Sequence, residues 1–290
     1  MFVLDQTFHI EEPWLQFNNL LVRQLAFSLC SPNILAAIPP DLALKHTFQL
    51  HNNGTWNTHF QNYRSRLLYL DQHPQALILF VQQLKSTRLG LRFEMLIWFW
   101  LLDKDYHPYQ LLGHSIQKIA GAKTLGELDF VLLNTETQKI EHWEVALKYY
   151  LAEHDFSLPY WYGLNRSDTL FRKLNHFSQK QFQFEEALEH RIEQRYAVLK
   201  GQLYLPLSTS AKLPTWVNSE RRLGHWGSII PSYNSFYRLQ RLEWICPQRN
   251  ASSESAHWWI DGLYRQKDCA NFYMFRSASL LSQNFKTSLI

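Results

Sequence analysis

A stretch in the middle of the chain, residues 142–151, alternates between apolar and other residues in the manner of a β-strand. Its apolar side chains fall on every second position; they are Trp143, Val145, Leu147, Tyr149 and Leu151. Successive strand side chains point to opposite faces, so this period of two predicts a strand. A helix is the alternative, because Glu144 and Lys148 have the spacing of a helical ion pair. On a helix, however, the apolar residues would scatter around the axis, so the pattern favours the strand.

The preceding stretch, Glu127–Leu133, is almost continuously apolar and contains the carboxylate Asp129. Such a run is typical of a central strand that is covered on both faces. The polar residues 134–138 then form a turn, which predicts a hairpin of two strands. Asp129 and Glu144 are expected to lie side by side in it, with carboxylates about 5–6 Å apart, the spacing of facing residues on adjacent strands.

Hydrophobic spacing predicts helices before this hairpin and both kinds of element after it. Helices are expected over residues 13–37, 56–70, 74–84, 89–103, 165–182 and 185–200, and further strands over residues 109–119, 201–205, 236–245 and 270–277. The predicted fold class is therefore mixed α+β (α/β), with a core sheet flanked by helices, a helical N-terminal region and a β-containing C-terminal region.

Domain organisation follows from the best internal linker, residues 207–214. It divides the chain into a unit at 1–206, whose core lies at about 85–206, and a β-rich extension at 207–290. We expect the extension to pack on the core.

The composition excludes several classes of protein. With 46% hydrophobic and 15% aromatic residues, the chain can build a large core and is not disordered. Its longest apolar run, residues 95–102, is too short to cross a bilayer, and residues 1–12 lack the features of a signal peptide. Cys30, Cys246 and Cys269 are odd in number and far apart, which predicts neither disulfides nor a structural zinc site. We therefore expect a cytoplasmic protein with no membrane partner.

Charge is unevenly distributed along the chain. Residues 1–160 contain 12 Lys and Arg against 15 Asp and Glu, whereas residues 161–290 contain 17 against 10. A basic second half beside an acidic site suits a ligand with a phosphate backbone, so nucleic acid is the expected partner. The candidate nucleic-acid contacts are basic residues around the helix after the hairpin: Arg166, Arg172, Lys173 and Lys180. A solvated amphipathic face is the alternative interpretation of the same residues.

Glu94 lies in the predicted helix 89–103, which is apolar on all sides and is therefore expected to be buried. A glutamate in such a place is most often part of a structural ion pair, here with a residue such as Arg88. Its position shortly before the hairpin also makes it a candidate member of an acidic site. Asp129 and Glu144 offer that site hard oxygen ligands, which suit Mg²⁺ or Mn²⁺.

An acid on a helix, then G-x-x-D on a strand, then an acid and a lysine on the next strand resembles the PD-(D/E)XK nuclease superfamily. The chain more closely resembles a bacterial family, domain of unknown function 1853, which is grouped with those nucleases. The motifs that carry the resemblance run from about residue 90 to 180, and the rest of the chain matches more loosely. They are Arg92-Phe93-Glu94, Gly126-Glu127-Leu128-Asp129-Phe130, His142-Trp143-Glu144, Lys148-Tyr149-Tyr150-Leu151, Gly163-Leu164-Asn165, Asp168 and Lys173-Leu174.

This resemblance implies a restriction-endonuclease-like core and a hydrolase that cleaves phosphodiester bonds in nucleic acid with Mg²⁺ or Mn²⁺ as cofactor. It assigns the metal ion to Asp129, Glu144 and Glu94, and adds Lys148 to the catalytic set. The lysine of the superfamily usually stands two residues after the acid, where this chain has Ala146. Lys148 is displaced by two further positions and lies about 13 Å along the strand from Glu144.

Two questions follow from the displaced lysine. Lys148 could reach the site through its long side chain or a bulge, and Lys173 is the alternative catalytic lysine. The second function hypothesis is a non-catalytic module that binds nucleic acid or protein on the same fold, because fold does not fix function. A carboxylate-pair hydrolase of sugars fits less well, since the lysine and the hairpin layout have no role in it.

Overall fold

The computed structural model describes residues 11–121, 123–207, 211–231, 235–267 and 271–277. Its α-helices are α1 (Leu20–Cys30), α2 (Asn53–Gln72), α3 (Gln75–Gln82), α4 (Leu89–Leu102) and α5 (Leu170–Gln179). Its strands are β1 (Tyr109–Ala120), β2 (Lys123–Asn134), β3 (Lys139–Ala152), β4 (Trp161–Tyr162), β5 (Glu186–Ala187), β6 (His190–Arg191), β7 (Gln194–Pro206), β8 (Gly224–Gly227), β9 (Phe236–Arg238), β10 (Gly262–Gln266) and β11 (Phe272–Phe275).

One mixed sheet organises the described residues, in the strand order β1-β2-β3-β7-β8-β11-β10-β9, with β4 on the end of β3. β1, β2 and β3 are antiparallel, and β3, β7, β8 and β11 follow one another in parallel. β10 and β9 complete the sheet in antiparallel pairings. With helices in the N-terminal part and strands in the C-terminal part, the predicted mixed α+β fold class is confirmed.

Helices cover both faces of the sheet. Trp143, Val145 and Leu147 of β3 pack with α1, α2, α3 and α4 in the largest core cluster. Ala146 and Tyr150, on the other face of β3, pack in a second cluster that contains α5. β3 and β7 are therefore sandwiched between two layers of helices, which explains why both alternating sets of β3 residues are mostly buried.

The hairpin predicted around residues 127–151 is confirmed by β2 and β3, and residues 142–151 are strand. The helix predicted over residues 13–37 is shortened to α1, since a separate 3-10 turn at Pro13–Gln16 precedes it and Pro32 follows its end. The helix predicted over residues 185–200 is wrong. Residues 186–191 form the small β5–β6 hairpin, and the following residues enter β7, where pairing with β3 outweighs the helix propensity of the charged side chains.

The C-terminal strands are shorter than predicted and are joined by two others. The strand predicted over residues 236–245 ends at Arg238 and is followed by a 3-10 turn. Gly224–Gly227 and Gly262–Gln266 are additional strands that the hydrophobic pattern did not indicate. β8 pairs in parallel with the last residues of β7, so the strands after residue 207 extend the same sheet.

Two expectations on compartment can be compared with the described part of the chain. No helix in it is both long and apolar enough to traverse a bilayer. Cys30 and Cys246 are free thiols, and Cys269 lies outside the described residues. A cytoplasmic location stays a prediction.

Candidate active site

The candidate site lies where β2 and β3 separate. The two strands pair from Asn134↔Lys139 to Phe130↔Trp143, and their register ends there. Beyond that point β2 continues beside β1, whereas β3 continues beside β7. Asp129 precedes Phe130 and Glu144 follows Trp143, so both carboxylates lie at the point where the two strands diverge. We call this point the fork.

The two carboxylates take over hydrogen bonds that a continuous ladder would supply. Asp129 Oδ2 accepts the backbone N–H of Val145 at 2.8 Å. The backbone N–H of Asp129 points to Glu144 Oε1, at 3.5 Å the longest contact of this set. Each acid is therefore held by the opposite strand, and Glu144 is completely buried.

Burial and mutual proximity make these acids hard to ionise. Burial raises the pKa of Glu144 to about 8, against the opposing effect of Lys173 and of hydrogen bonds with Asp129. Burial, followed by the charge of Glu144, raises the pKa of Asp129 well above its usual range. The charge of Glu94 raises the pKa of both. Two acids in this arrangement share a proton, or they require a cation.

Glu144 is fixed in place by two further side chains. His142 Nε2 contacts Glu144 Oε1 at 2.7 Å, and Gln181 Nε2 donates to Glu144 Oε2. Burial lowers the pKa of His142 to about 3, so its imidazole is neutral and donates to the carboxylate. Phe182 packs edge-on against the His142 ring and completes this support.

Lys173 is a positively charged side chain that interacts electrostatically with both acids. It projects from α5, donates to Gln181 Oε1 at 3.2 Å and stacks over Phe177. Burial lowers the pKa of its ammonium group, and Glu144, then Asp129, counteract that effect. Gln181 therefore links Lys173 to Glu144, with its amide nitrogen on the carboxylate and its oxygen on the ammonium.

Lys148 has a different partner. Its Nζ donates to Asp168 Oδ2 at 2.7 Å, and the Tyr150 hydroxyl lies 3.4 Å from Asp168 Oδ1. A tight turn places Asp168 there, because the Gly163 N–H donates to the Asp168 carbonyl at 2.6 Å. A Cβ at Gly163 would meet the Asp168 backbone oxygen at 3.0 Å, which explains the glycine of this motif.

β7 also constrains the backbone of Lys148. Gly201 pairs with Lys148 and has a φ of +126°, a conformation that side-chain-bearing residues rarely adopt. A Cβ at Gly201 would lie 1.8 Å from the Lys148 carbonyl oxygen. The glycine therefore allows the two strands to approach closely at this point.

Glu94 reaches the fork from α4, which covers the face of the sheet opposite to α5. Its carboxylate is bound by side chains of β1. His114 Nε2 contacts Glu94 Oε1 at 2.8 Å, and Ser115 Oγ lies 3.4 Å from the same oxygen. The His114 ring is stacked between Trp98 and Phe130. Ser115 has a φ of +51°, so its backbone is strained at the position opposite Asp129. Arg88, the suggested structural partner of Glu94, is exposed.

The remaining predicted contacts divide into two kinds. Arg166 forms a two-point ion pair with Glu153 and stacks over Tyr162 at 4.0 Å. Its donors are thereby directed to structural contacts. Arg172 is exposed on α5 and donates to the Ser167 carbonyl. Of the predicted nucleic-acid contacts, Arg172 and Lys173 thus line one surface next to the fork.

A metal ion at the fork would have a pair of acids as its protein ligands. Among the described residues, no three His, Cys, Asp or Glu side chains are grouped closely enough to form a metal site on their own. Mg²⁺ usually takes one or two carboxylates and completes its shell with water and substrate phosphate. The donor set of Asp129 and Glu144 therefore fits such an ion, whereas a closed protein cage does not form here.

A family model described as Domain of unknown function (DUF1853) matches residues 23–273, most of the chain. The chain belongs to this family. The DUF1853 match includes the acid pair, α5 and most of the C-terminal strands, and it is much longer than the 90–180 region in which the motifs were noticed. No curated protein and no solved structure matches the chain.

Several residues of the site were not predicted as such. His114, Ser115 and Gln181 have no motif that marks them, because their roles depend on strands and helices meeting in three dimensions. His142 stands in the H-W-E motif, and its position two residues before Glu144 places both on one strand face. That spacing is a signal that could have identified it.

Proposed function

We propose that this protein is a metal-dependent phosphodiesterase that cleaves nucleic acid, on a restriction-endonuclease-like core of the PD-(D/E)XK type. The observation that carries the proposal is the pair of acids at the fork, Asp129 and Glu144. Their pKa values are both raised, they interact electrostatically with Lys173, and Gln181 links that lysine to Glu144. Perturbed acids that converge with a cation are typical of catalytic sites.

The order of elements supports the superfamily assignment. Glu94 stands on helix α4, Asp129 on strand β2 and Glu144 on strand β3. This is the sequence of acid-bearing elements from which the resemblance was drawn. Gly126, the glycine of the G-x-x-D motif, lies against the Phe184 ring, where a Cβ would be only 3.0 Å away.

Asp129 and Glu144 would hold the divalent ion. A Mg²⁺ or Mn²⁺ ion bound there would stabilise negative charge on a phosphate group and favour ionisation of a water molecule. His142 and Gln181 orient Glu144 through its two oxygens, and the Val145 N–H orients Asp129. This support fixes the carboxylates before substrate arrives, which is a requirement for efficient electrostatic catalysis.

We assign the catalytic lysine to Lys173 rather than Lys148. Lys173 interacts electrostatically with both acids and is linked to Glu144 through Gln181. Lys148 is neutralised by Asp168. Lys173 can therefore offset charge that develops on the phosphate, while the Lys148–Asp168 pair stabilises the wall beside it.

Glu94 has a supporting role in this proposal. Its carboxylate is engaged by His114 and contributes negative charge to the fork, as the pKa values of Asp129 and Glu144 reflect. From there it can hold a water molecule beside the ion. The hydrogen bond with His114 fixes the orientation of the carboxylate.

One observation favours the second candidate, a binding module without catalysis. The position at which the superfamily carries its lysine is occupied by Ala146, and Lys148 is paired with Asp168. A site that had lost its original lysine could retain the nucleic-acid surface alone.

Metal titration and cleavage assays distinguish the two candidates. The full chain is tested on single-stranded and duplex DNA and on RNA with Mn²⁺, alongside Asp129→Asn and Glu144→Gln. Both variants keep the side-chain volume, and we expect each to abolish cleavage and to weaken Mn²⁺ binding measured by calorimetry. Glu136→Gln, an exposed acid in the β2–β3 turn, is the matched control and should behave like the wild type. Nucleic-acid binding without cleavage or Mn²⁺ binding would instead establish the binding module.

A further inference from the structure

A cleft of about 540 Å³ runs along α5 next to the acid pair. We call it the α5 cleft. Its lining includes Ser167, Asp168, Arg172, Lys173, His176 and Lys180. Its volume is within the range of small-ligand sites, and its lining is polar rather than apolar. The chemistry of this lining therefore decides what the cleft can bind.

Basic side chains dominate the α5 cleft. Arg172 and His176 are spaced four residues apart, which places them on the same side of α5, and Lys180 follows at the C-terminal cap of the helix. The one acid of the lining, Asp168, already accepts hydrogen bonds from Lys148 and Tyr150. The net character of the surface is cationic, as a site for phosphate groups requires.

The arrangement is costly without an anion. Arg172 lies in the first turn of α5, which contains no acidic residue, and a cation there is disfavoured by the helix dipole. Burial, followed by the charges of Lys173 and Lys180, lowers the pKa of His176. Within the described residues, neither Arg172 nor Lys180 forms an ion pair with a carboxylate. The cationic cluster therefore lacks a compensating carboxylate within the described residues, which favours a negatively charged ligand.

Lys173 connects the α5 cleft to the acid pair. That side chain lines the cleft and also interacts with Glu144 and Asp129. We propose that the α5 cleft binds the phosphate groups of a single nucleic-acid strand on one side of the phosphate that is placed at Asp129 and Glu144. This inference rests on the proposed function. It assigns Arg172 and Lys180 to the flanking phosphates and Lys173 to the phosphate at the acids.

The test is a binding measurement without metal, which separates binding from cleavage. The full chain is titrated in EDTA against a fluorescein-labelled 12-nucleotide DNA strand, and anisotropy is recorded at several salt concentrations. The variant Arg172→Ala/Lys180→Ala should bind about tenfold more weakly at low salt. Loss of two phosphate contacts should also reduce the slope of log affinity against log salt by about 1.4.

The matched control removes one arginine and one lysine from the opposite face of the sheet. Arg64 on α2 and Lys104 in the turn after α4 are both exposed, and Arg64→Ala/Lys104→Ala should change affinity less than about twofold. Equal weakening in both double variants would show general charge attraction and would overturn the inference, as would unchanged affinity in the cleft variant. Displacement of the strand by an equal concentration of nucleoside monophosphate would also overturn it, because the cleft would then bind a single phosphate group.

A cleavage assay with Mn²⁺ distinguishes failure of this inference from failure of the proposed function. If the wild type does not cleave but the cleft variant loses affinity as expected, the α5 cleft binds strands and the hydrolytic function is wrong. If the wild type cleaves and the cleft variant binds and cleaves equally well, the hydrolytic function stands and the α5 cleft has no part in it. Melting curves of both double variants must match the wild type within a few degrees, and a cleft variant that fails this check is replaced by Arg172→Gln/Lys180→Gln.

Discussion

The raised pKa values of the acid pair predict a stability that depends on pH. The perturbation is a rise from pH 5 to pH 8.5 in metal-free protein, applied to the wild type and to Asp129→Asn/Glu144→Gln. An acid whose pKa is higher in the folded state binds its proton more tightly there than in the unfolded chain. The free energy of unfolding of the wild type therefore falls as the pH rises from the unfolded pKa towards the folded one. The double variant has no such acids and lacks this decrease.

The size of the effect follows from Glu144. Its pKa rises from an ordinary 4.5 to about 8. At about 1.4 kcal/mol per pKa unit, the loss between pH 5 and pH 8.5 would be about 4 kcal/mol if Glu144 titrated alone. Asp129 shares the proton, so we expect the free-energy difference between variant and wild type to grow by about 3–5 kcal/mol over this pH range. Most of the growth should be complete near pH 8.

Urea unfolding followed by tryptophan fluorescence measures this difference at each pH. Other buried groups also titrate, such as Lys200 and His51, but they are common to both proteins and cancel in the difference. Mn²⁺ at a hundred times its Kd should restore about 2.7 kcal/mol to the wild type at pH 8.5 and nothing to the double variant. A difference that stays constant between pH 5 and pH 8.5, or that shrinks, would refute the assignment of the acids as a proton-sharing pair.

Four further substitutions test individual residues. Lys173→Ala should lower the cleavage rate about 100-fold or more and keep the melting temperature within a few degrees. Lys148→Ala should lower the free energy of urea unfolding by about 0.5–1 kcal/mol, because its ion pair is partly exposed. Equal cleavage rates for the two variants would contradict the assignment of the catalytic lysine. Arg166→Ala should lower the free energy of unfolding by about 1–2 kcal/mol through loss of its two-point ion pair with Glu153. Its affinity for the DNA strand, measured by anisotropy, should be unchanged. Weakened binding would show that Arg166 belongs to the nucleic-acid surface. Gly201→Ala should lower the free energy of unfolding by more than about 3 kcal/mol or prevent soluble expression, because the added Cβ would overlap a backbone oxygen. A normal melting temperature would contradict the strand geometry.

The sequence was most informative where one signal dominated. The period of two in residues 142–151 correctly predicted β3, and the carboxylate in a buried run correctly predicted that Asp129 lies on the neighbouring strand. The fork itself could not be predicted, since a strand pattern does not show where pairing with a neighbour ends. The partner of Lys148 depends on a turn that brings Asp168 back to the sheet, and the proximity of Lys173 depends on how α5 packs.

The error over residues 185–200 has a related cause. This segment contains charged residues such as Glu185 and Glu189, and its composition is typical of an exposed helix. From Gln194 onward it nevertheless belongs to a strand, β7, that lies between β3 and β8 in the sheet. The strand is determined by its neighbours rather than by local propensity. The same dependence on distant pairing explains why Gly262–Gln266, a short strand between turns, was not indicated by its own sequence.

The fork has a consequence for how variation within the DUF1853 family should be interpreted. Asp129 accepts a main-chain N–H that has lost its ladder partner, so a chain that had given up hydrolysis would still be under selection to keep this acid. Retention of Asp129 in a relative would then indicate architecture rather than activity. Lys173 contacts side chains instead of the backbone and would be free to change once turnover ceased. Under the proposed function, the lysine on α5, and not the acids of the sheet, is therefore the position that should separate members of the family that cleave nucleic acid from members that do not.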